Sequence, residues 1–374
     1  MRIMFIIYSL SGGGAERVTV ALANHWVDAR HEVTIVLLSA ADGDDGQAYA
    51  VDDRVSIEPL GLDTRSSSVA AALVANRRRI AAIGSVLRSR RPDVVVGMMS
   101  TPSILLALAR APRSALRIGT ERIYPPFSDL SPLWRAARPL AYARLDAVVA
   151  QTEQAADWLR TRSFARRVEV IHNPILEGGR SGPEVSPPSL LPPQSRLLLS
   201  VGRLAPQKQF AELLRTFDAL ARTRPDWHLV ILGHGEERDL LEARRRASAC
   251  AERIHLLGRI ANVETWIGRA DLFVLASSFE GFPNALLEAY CAGAACVAFD
   301  CPTGPSTILT HDEDGILVAP NDFAALTDAL GTMMDRPVAR EALGARALAG
   351  AGRFEIAAIA ARWEALFTDL AAHP

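Results

Sequence analysis

Short apolar runs alternate with amphipathic segments along the first half of the chain. Runs rich in aliphatic and β-branched residues predict strands over residues 2–8, 32–38, 93–98 and 146–151. Between them, residues 15–29 and 69–91 predict helices. Continuous apolar strands that alternate with helices are typical of a parallel sheet that is covered by helices.

The same alternation resumes after residue 195. Strands are predicted over residues 196–201, 228–232, 271–275 and 294–299, and helices over residues 210–223, 236–249 and 284–293. A last helix over residues 355–370 carries Trp363 and Phe367, which can pack back across the junction. We therefore predict an α/β protein with two doubly wound, Rossmann-like domains in tandem that face a cleft. In such sheets, ligands bind where loops leave the carboxyl ends of the strands.

The composition changes sharply between the two halves. Prolines and glycines are concentrated between His172 and Arg196, which is typical of a linker. The predicted boundaries are an N-terminal domain over residues 1–172, a linker over 173–195, a C-terminal domain over 196–353 and a C-terminal helix over 354–374.

The overall composition is that of a soluble globular protein. The 374 residues include 41 basic and 42 acidic side chains, and 49% of the residues are hydrophobic, which excludes a mainly disordered chain. The sequence contains neither an apolar run of eighteen residues nor the pattern of a signal peptide, so we expect a cytoplasmic protein. The four cysteines fit no usual zinc spacing and are expected to be buried or idle thiols.

Positive charge is concentrated in one stretch. Residues 66–120 contain nine arginines and one acidic residue, Asp93. Such an imbalance indicates a polyanionic partner, namely anionic lipid, a lipid pyrophosphate or nucleic acid, with a solvated helix face as the alternative. Nucleic acid is the least favoured, because no interleaved aromatic residues and no DNA-binding motif accompany the charge.

Lysine occurs only once, at Lys208, against forty arginines. A lysine ammonium is a compact charge that binds phosphate where a planar guanidinium does not fit. Lys208 and Arg203 both follow the predicted strand 196–201 and precede a helix, whose N-terminus also favours anions. We predict that the two cations hold a pyrophosphate; the alternative is a salt-bridged surface pair.

Two carboxylates frame a loop that runs into a helix, in the segment EGFPNALLE over residues 280–288. A helix would place Glu280 and Glu288 ~12 Å apart, whereas a retaining glycoside hydrolase needs ~5–5.5 Å. Gly281 and Pro283 instead predict a turn whose free amides bind an oxyanion or sugar hydroxyls. The two glutamates would then accept hydrogen bonds from ligand hydroxyl groups.

Two further segments have weaker signals. The glycine loop GGGAER over residues 12–17 would let a phosphate or sugar approach, but Arg17 stands where a dinucleotide fingerprint needs its last glycine. The DED segment over residues 312–314 lies in a polar loop, and we do not expect it to bind a metal.

Five motifs, in this order, resemble the retaining glycosyltransferases of the GT-B fold, family 4 type. They are GGAERV at 13–18, IHNP at 171–174, VGRL at 201–204 with Lys208, LGHG at 232–235 and the E-x7-E segment at 280–288. The resemblance spans nearly the whole chain. Residues 279–289 and 300–305 resemble a narrower group that builds lipid-linked oligosaccharides and exopolysaccharides, several members of which use UDP-N-acetylhexosamines.

The resemblance also implies roles for single residues. Arg203 and Lys208 would hold the donor diphosphate and stabilise its departure, and Glu280 would contact the donor sugar. Donor-binding positions would be Gly13, Gly14, Arg259, Ile260, Gly281, Phe282, Asn284, Ala285, Leu286 and Glu288. Where many relatives have a histidine after the fifth strand, this chain has Glu121 and Arg122, which are candidates to contact the acceptor or the donor sugar.

The predicted function is the transfer of a hexose or N-acetylhexosamine from a UDP-sugar, with retention, to a lipid-linked or oligosaccharide acceptor. A departing phosphate oxygen can take the proton of the acceptor, so no protein base is required. The resemblance implies a metal-independent enzyme, so neither a metal nor another cofactor is expected. The enzyme would be peripheral on an anionic membrane surface, at the inner face of the cytoplasmic membrane. Two alternatives are a sugar-nucleotide epimerase or phosphorylase on the same scaffold, and a non-catalytic nucleotide-sugar-binding subunit.

Overall fold

The computed structural model describes residues 1–40, 49–62, 69–176 and 182–373. The chain divides into two compact units, Met1–Leu176 with Glu355–Pro374, and Glu177–Phe354. The division after residue 176 falls within the predicted linker, of which residues 177–181 lie outside the described residues. Residues 66–68 of the basic stretch lie outside them as well.

The first unit is built on a seven-stranded parallel sheet. Its strands are β1 (Arg2–Ile7), β2 (Glu32–Leu37), β3 (Ser56–Pro59), β4 (Val94–Gly97), β5 (Leu116–Glu121), β6 (Ala147–Ala150) and β7 (Val168–Val170). Their order across the sheet is β3-β2-β1-β4-β5-β6-β7. The strand order reverses between β1 and β4, which is where doubly wound sheets bind ligands.

Helices cover both faces of this sheet. They are α1 (Gly14–Asp28), α2 (Val69–Arg90), α3 (Ser100–Leu108), α4 (Pro132–Tyr142) and α5 (Glu153–Arg162). Successive strand residues point to opposite faces. Phe5 accordingly packs in one apolar layer with Trp26 of α1, whereas Met4 packs in the other with Ile83 of α2 and Leu105 of α3.

The second unit repeats this architecture. Its elements are α6 (Pro187–Leu190), β8 (Arg196–Val201), α7 (Phe210–Ala221), β9 (Trp227–Leu232), α8 (Arg238–Ala247), β10 (Ile254–Gly258), α9 (Val263–Arg269), β11 (Leu272–Leu275), α10 (Asn284–Cys291), β12 (Cys296–Phe299), α11 (Pro305–Ile308), β13 (Ile316–Val318), α12 (Phe323–Asp335) and α13 (Pro337–Gly350). The six parallel strands follow the order β10-β9-β8-β11-β12-β13. Here the order reverses between β8 and β11.

The last helix, α14 (Ile356–Ala372), packs on the first unit. The Trp26 ring lies 5.6 Å from the rings of both Phe5 and Phe367, and its indole N–H donates to Glu364 at 3.0 Å. Trp363 is also buried in this core. The core of the first unit is therefore completed by a helix that follows the whole second unit in the chain.

The predicted fold class is confirmed, and the predicted strands and helices are present with ends that shift by at most two residues. The four cysteines are buried thiols that form no disulfide with one another, as the sequence predicted. Within the described ranges, no helix is both long enough and apolar enough to cross a membrane.

Candidate functional site

Lys208 contacts Glu280 where the strand order of the second unit reverses. Lys208 follows β8 and Glu280 follows β11, which are neighbours in the sheet. The lysine Nζ donates to Glu280 Oε1 at 2.5 Å, and the two side chains are only 15% and 8% exposed. The single lysine therefore forms a salt bridge, as the alternative of a salt-bridged surface pair required. The pair is not on the surface, however, but largely buried at the carboxyl edge of the sheet.

A short 3₁₀ turn, Pro206–Lys208, holds this lysine against the loop after β11. Gln207 donates from its side-chain amide to Phe279 O at 2.7 Å, and its own carbonyl accepts from Ser278 N at 2.9 Å. These backbone-directed bonds fix the position of Lys208 relative to Glu280. The sequence analysis missed Gln207, whose only signal was its place beside the lysine.

The loop after β12 supports Glu280 from another side. Glu280 N donates to Pro302 O at 3.3 Å, and the Thr303 hydroxyl donates to Glu280 O. Gly304 has a φ of +117°, and a Cβ there would collide with Pro283. A glycine is needed at this position because the backbone of Gly304, in the loop after β12, packs directly against the Pro283 ring, in the loop after β11.

Two glycines let the strand-end loops approach one another. A Cβ on Gly202 would stand 3.1 Å from Lys208 Cε, so the lysine stem runs directly over this residue. Gly233, which follows β9, has a φ of +148°, and a Cβ there would collide with Gly202 O. The loops of the VGRL and LGHG motifs therefore pack closely against each other, and the first of them packs against the Lys208 side chain.

Arg203 is the second cation at this edge. It lies two residues after the end of β8 and is exposed. Within the described part of the chain, its guanidinium makes no ion pair, so it differs from Lys208 in being available to an anion. The two predicted phosphate-binding residues thus lie on one loop, with one held in place and one open to solvent.

The start of α10 carries most of the predicted donor-binding residues. Gly281, Asn284 and Ala285 are half-buried, whereas Phe282 and Leu286 are buried. Phe282 and Leu286 can therefore offer a ligand only backbone atoms. The first-turn N–H groups of a helix have no partner within the helix, so this end presents donors. Glu288 lies about one turn after the start of α10, and its side chain is buried as well.

Arg259 and Ile260 follow β10, two strands away from β8. At the usual spacing of neighbouring strands this is roughly 10 Å across the sheet. Their loop is held by a segment of the predicted linker, because Ala261 N donates to Pro183 O at 3.0 Å. A Cβ on Gly182 would stand 2.9 Å from Arg259 O, so this contact needs a glycine. Arg259 is exposed and Ile260 is buried.

Gly13 and Gly14 belong to the first unit, where the glycine loop already holds a carboxylate. Glu16 accepts from Gly12 N at 2.5 Å, from Gly13 N at 2.7 Å and from the Ser9 hydroxyl at 2.9 Å. A phosphate that used these amides would have to displace Glu16. The geometry favours a helix cap for Gly13 and gives its predicted donor contact no support.

Glu121 ends β5 inside a network of the first unit. It accepts from the Ser100 hydroxyl at 2.6 Å, from the Tyr142 hydroxyl at 2.5 Å and from Arg138 at 3.5 Å. Burial raises the pKa of Glu121 above its usual value, and burial beside Glu121 raises the pKa of Tyr142 well above 10. This carboxylate serves the fold, which leaves it a poor candidate to contact a sugar.

Arg122, the next residue, is buried without an acidic partner among the described residues. Its Nη2 donates to Asn173 Oδ1 at 2.7 Å, whereas its Nε has no hydrogen-bond partner there. Burial lowers the pKa of Arg122 to about 10, so the guanidinium remains charged at neutral pH. Nothing in the sequence around Arg122 signals its contact with Asn173, 51 positions away.

Metal binding has no structural support in the parts of the chain described. Among those residues, no three or more histidine, cysteine, aspartate or glutamate side chains form a group that could hold a metal ion.

Both halves of the chain match known glycosyltransferase families. Residues 12–175 match the family model described as Glycosyltransferase Family 4, and residues 195–336 match the one described as Glycosyl transferases group 1. The chain belongs to the glycosyltransferases, with a family 4 domain followed by a group 1 domain. This membership agrees with the placement of the VGRL, LGHG and E-x7-E motifs around the edge of the second sheet.

Two relatives are similar to this glycosyltransferase over 99% of its length. The Exopolysaccharide phosphotransferase SCO2592 of Streptomyces coelicolor is 28% identical, and the chain spans 41% of that relative. The GalNAc-alpha-(1->4)-GalNAc-alpha-(1->3)-diNAcBac-PP-undecaprenol alpha-1,4-N-acetyl-D-galactosaminyltransferase of Campylobacter jejuni is 26% identical, and the chain spans 99% of it.

Solved structures confirm the GT-B fold. Sucrose-phosphate synthase from Thermosynechococcus elongatus superimposes with a TM-score of 0.82 at 17% identity, over 100% of both chains. The Anabaena protein Alr3699/HepE, in complex with UDP and glucose, has a TM-score of 0.74 at 17% identity over 99% of this chain and 100% of its own.

Proposed function

We propose that this glycosyltransferase moves a hexose or N-acetylhexosamine from a UDP-sugar, with retention, onto a membrane-linked glycan acceptor. The contact between Lys208 and Glu280 carries the proposal, because it joins a cation and a carboxylate where doubly wound sheets bind nucleotides. Two similar proteins support the substrate classes. The name of the Campylobacter relative includes a PP-undecaprenol-linked glycan, and the Anabaena structure contains UDP and glucose.

The two cations would stabilise the leaving group. As the bond between the sugar C1 and the phosphate oxygen breaks, negative charge develops on the UDP diphosphate. Lys208 and the exposed Arg203 follow the same strand and would neutralise that charge. The phosphate oxygen would take the proton of the acceptor hydroxyl, which attacks C1 on the face that UDP leaves. The step then needs neither a protein base nor a metal ion.

Glu280 would bind the donor sugar. Its Oε1 accepts from Lys208, and its Oε2 has no hydrogen-bond partner among the described residues. The Oε2 atom can therefore accept from a sugar hydroxyl without breaking the ion pair. The half-buried backbone of Gly281 and Ala285 would supply further donors at the start of α10, whereas Asn284 N already donates to Phe282 O at 3.0 Å.

The remaining donor contacts follow from the order of the strands. Glu288 would accept from the ribose hydroxyls, and the backbone of Arg259 and Ile260 would meet the base. Arg259 and Ile260 lie roughly 10 Å across the sheet from the loop of Lys208, a span that an extended nucleotide can bridge.

The arginines of residues 66–120 are not gathered on one face of the first unit. The helix α2 is roughly 33 Å long and runs from the carboxyl edge of the sheet to the amino edge. Five exposed arginines lie near the amino edge, since α2 and α3 end shortly before β4 and β5 begin: Arg88, Arg90, Arg91, Arg110 and Arg113.

The first half of α2 is the segment that we propose for membrane contact. Leu73 and Val74 are 49% and 51% exposed, and Arg77 and Arg78 are exposed on the following turn. Exposed apolar side chains beside arginines suit the interface of an anionic membrane. This part of α2 lies nearer to the carboxyl edge, where a lipid-linked acceptor would be used.

Binding of UDP tests the donor site. Calorimetry on the wild type and on Lys208→Ala should show UDP affinity at least tenfold weaker in the variant, because a charged contact to the diphosphate is lost. Lys208→Arg should weaken it too, because a planar guanidinium does not replace the compact ammonium that runs over Gly202 and donates to Glu280. The matched control is Arg215→Ala on the exposed face of α7. Equal affinity in Lys208→Ala and the wild type would remove Lys208 from the donor site.

Product analysis tests the reaction. Proton NMR of the glycan product should show the anomeric configuration of the donor, as retention requires. An epimerised donor that forms without acceptor would instead favour an epimerase. UDP binding without turnover on any acceptor would favour a non-catalytic subunit.

A further inference from the structure

Arg122 is a buried cation whose charge the described residues do not balance. Its side chain donates one hydrogen bond, to the neutral amide oxygen of Asn173, and Nε has no partner. Within the ranges that the structure describes, no carboxylate contacts the guanidinium. Arg122 is 8% exposed and immediately follows β5, at the carboxyl edge of the first sheet.

Two other buried arginines of this chain have a carboxylate or a pair of backbone carbonyls as partners. Arg138 pairs with Glu121 at 3.5 Å and lies over the Trp158 ring at 4.6 Å. Arg340 donates to two backbone carbonyls at the end of α12, including Met334 O at 2.9 Å. Arg122 has neither a carboxylate nor a set of carbonyls among the described residues, so its arrangement differs from that of a purely structural arginine.

The amide of Asn173, which accepts from Arg122, is shared with a second neutral amide. Gln151 follows β6 and donates to Asn173 Oδ1 at 2.5 Å, so this oxygen accepts from two donors. His172 Nδ1 lies 2.8 Å from Gln151 O. The amide oxygen of Asn173 orients the guanidinium but carries no negative charge.

An unpaired buried charge destabilises the folded protein unless a counter-charge arrives. Arginine does not escape this cost by losing its proton, because even a lowered pKa of about 10 leaves it charged. A guanidinium has five N–H donors in a planar fork that suits phosphate and carboxylate groups. A bound oxyanion would therefore relieve the imbalance.

We propose that Arg122 binds an oxyanion of the acceptor, either a phosphate or a sugar carboxylate, at the carboxyl edge of the first sheet. The proposal rests on the proposed function, because it assigns the anion to the acceptor. Arg203 and Lys208 already supply two cations for the donor diphosphate in the second unit. Arg122 is a separate cation, in the other unit, for a second anionic substrate.

The test uses inorganic pyrophosphate as the phosphate probe and glucuronate as the carboxylate probe, on the full chain with saturating UDP. The wild type should show a rise in Tm with at least one probe. In Arg122→Met, the apparent Kd for that probe should rise about thirtyfold or more, because a buried charged contact is lost. The matched control is Arg162→Met on α5, an exposed arginine of the same unit, which should keep the wild-type response.

Several outcomes would overturn the proposal. One is a wild-type Tm that neither probe raises, and another is an equal response in Arg122→Met. A third is UDP affinity that falls in Arg122→Met as far as in Lys208→Ala, since the anion would then belong to the donor. If Arg122→Met does not fold, Arg122→Lys keeps the charge without the fork and should respond to the same probe with weaker affinity; an undiminished response would contradict a fork-shaped site.

The failure of the two proposals can be distinguished. Absence of UDP binding in the wild type would contradict the proposed function and the assignment of the anion to the acceptor, while an Arg122-dependent probe response would still show an oxyanion site. Normal UDP binding without such a response would overturn only the role of Arg122.

Discussion

Single glycines decide how closely the loops under Lys208 can pack. Gly233 adopts a φ of +148°, which is unfavourable for residues with a side chain, and a Cβ there would collide with Gly202 O. The carbonyl belongs to the backbone, so it cannot swing aside as a flexible side chain would. The loop after β9 would therefore have to move away from the loop that leads to Lys208.

Gly233→Ala should lower the free energy of unfolding by about 2–4 kcal/mol, because backbone strain and a steric clash add together. Gly268→Ala is the matched control. Gly268 lies in α9, and a Cβ there would meet no atom of the described residues within 4 Å, so alanine should raise stability by about 0.5–1 kcal/mol. Urea denaturation measures both. Equal changes in the two variants would mean that the loop after β9 relaxes freely.

The site residues that sequence reasoning found were those with unusual composition or spacing. Lys208 stood out as the only lysine, and Glu280 through its spacing from Glu288. The sequence could not show that the Glu16 carboxylate accepts from the amides of the glycine loop. Nor could it show that Tyr142 and Arg138 donate hydrogen bonds to Glu121. Those contacts depend on how helices pack beside strand ends, which no local pattern records.

At the level of elements, the strands that the sequence predicted are the continuous apolar ones in the middle of each sheet. The missed strands β3, β7, β10 and β13 are the four edge strands of the two sheets and are only partly buried. Edge strands bury less surface, so their sequences need fewer apolar residues and resemble loops. β5 was not assigned a range either, although it lies inside the sheet, because polar and charged residues interrupt its apolar pattern.

A pair of histidines joins the edge strand β10 to β9. His228 Nδ1 lies 3.1 Å from His255 Nε2, and the rings stack at 5.4 Å. Burial lowers the pKa of both residues, that of His255 to about 4, with repulsion from His228 and Arg245 as further causes. The folded state therefore holds both histidines neutral.

Stability of the second unit should decrease as the pH falls from about 6.5 to 4. Over this range the unfolded chain binds protons that the folded His255 does not, so protonation favours unfolding. His255 is partly exposed, and solvent screening limits the effect to about 1–2 kcal/mol. Urea unfolding of the wild type and His255→Gln at pH 7.5 and 5.0 measures it. His255→Gln should lose less stability at pH 5.0; parallel losses in both proteins would refute the assignment.

At the scale of the whole molecule, positive charge is placed at two ends of the first unit. Arg77 and Arg78 lie in the half of α2 nearer to the carboxyl edge, whereas Arg110 and Arg113 lie near the amino edge. The positive and negative charges of the chain nearly balance, so its net charge would not attract it to an anionic membrane. Any such attraction would come from these local groups of arginines. The two pairs of arginines provide a direct comparison of the two ends.

Arg77→Gln with Arg78→Gln should weaken binding to phosphatidylserine vesicles about thirtyfold, at about 1 kcal/mol for each arginine near the surface. The matched double variant, Arg110→Gln with Arg113→Gln, should bind nearly as the wild type does. Co-sedimentation with anionic and neutral vesicles measures both. Equal losses of vesicle binding in the two double variants would show that the protein is attracted to the membrane by its charge without a defined contact face. Equal recovery of the wild type with both vesicle types would exclude anionic lipid as a partner.

The place of α14 has a consequence for synthesis on the ribosome. The second unit is one continuous segment, so it can fold as soon as it leaves the exit tunnel. Most of the first unit is translated earlier. Its Trp26, however, cannot make its contacts with Phe367 and Glu364 until these residues are translated, after the entire second unit. The nascent chain therefore completes its later unit first, and the apolar surface around Trp26 needs protection from aggregation until α14 emerges.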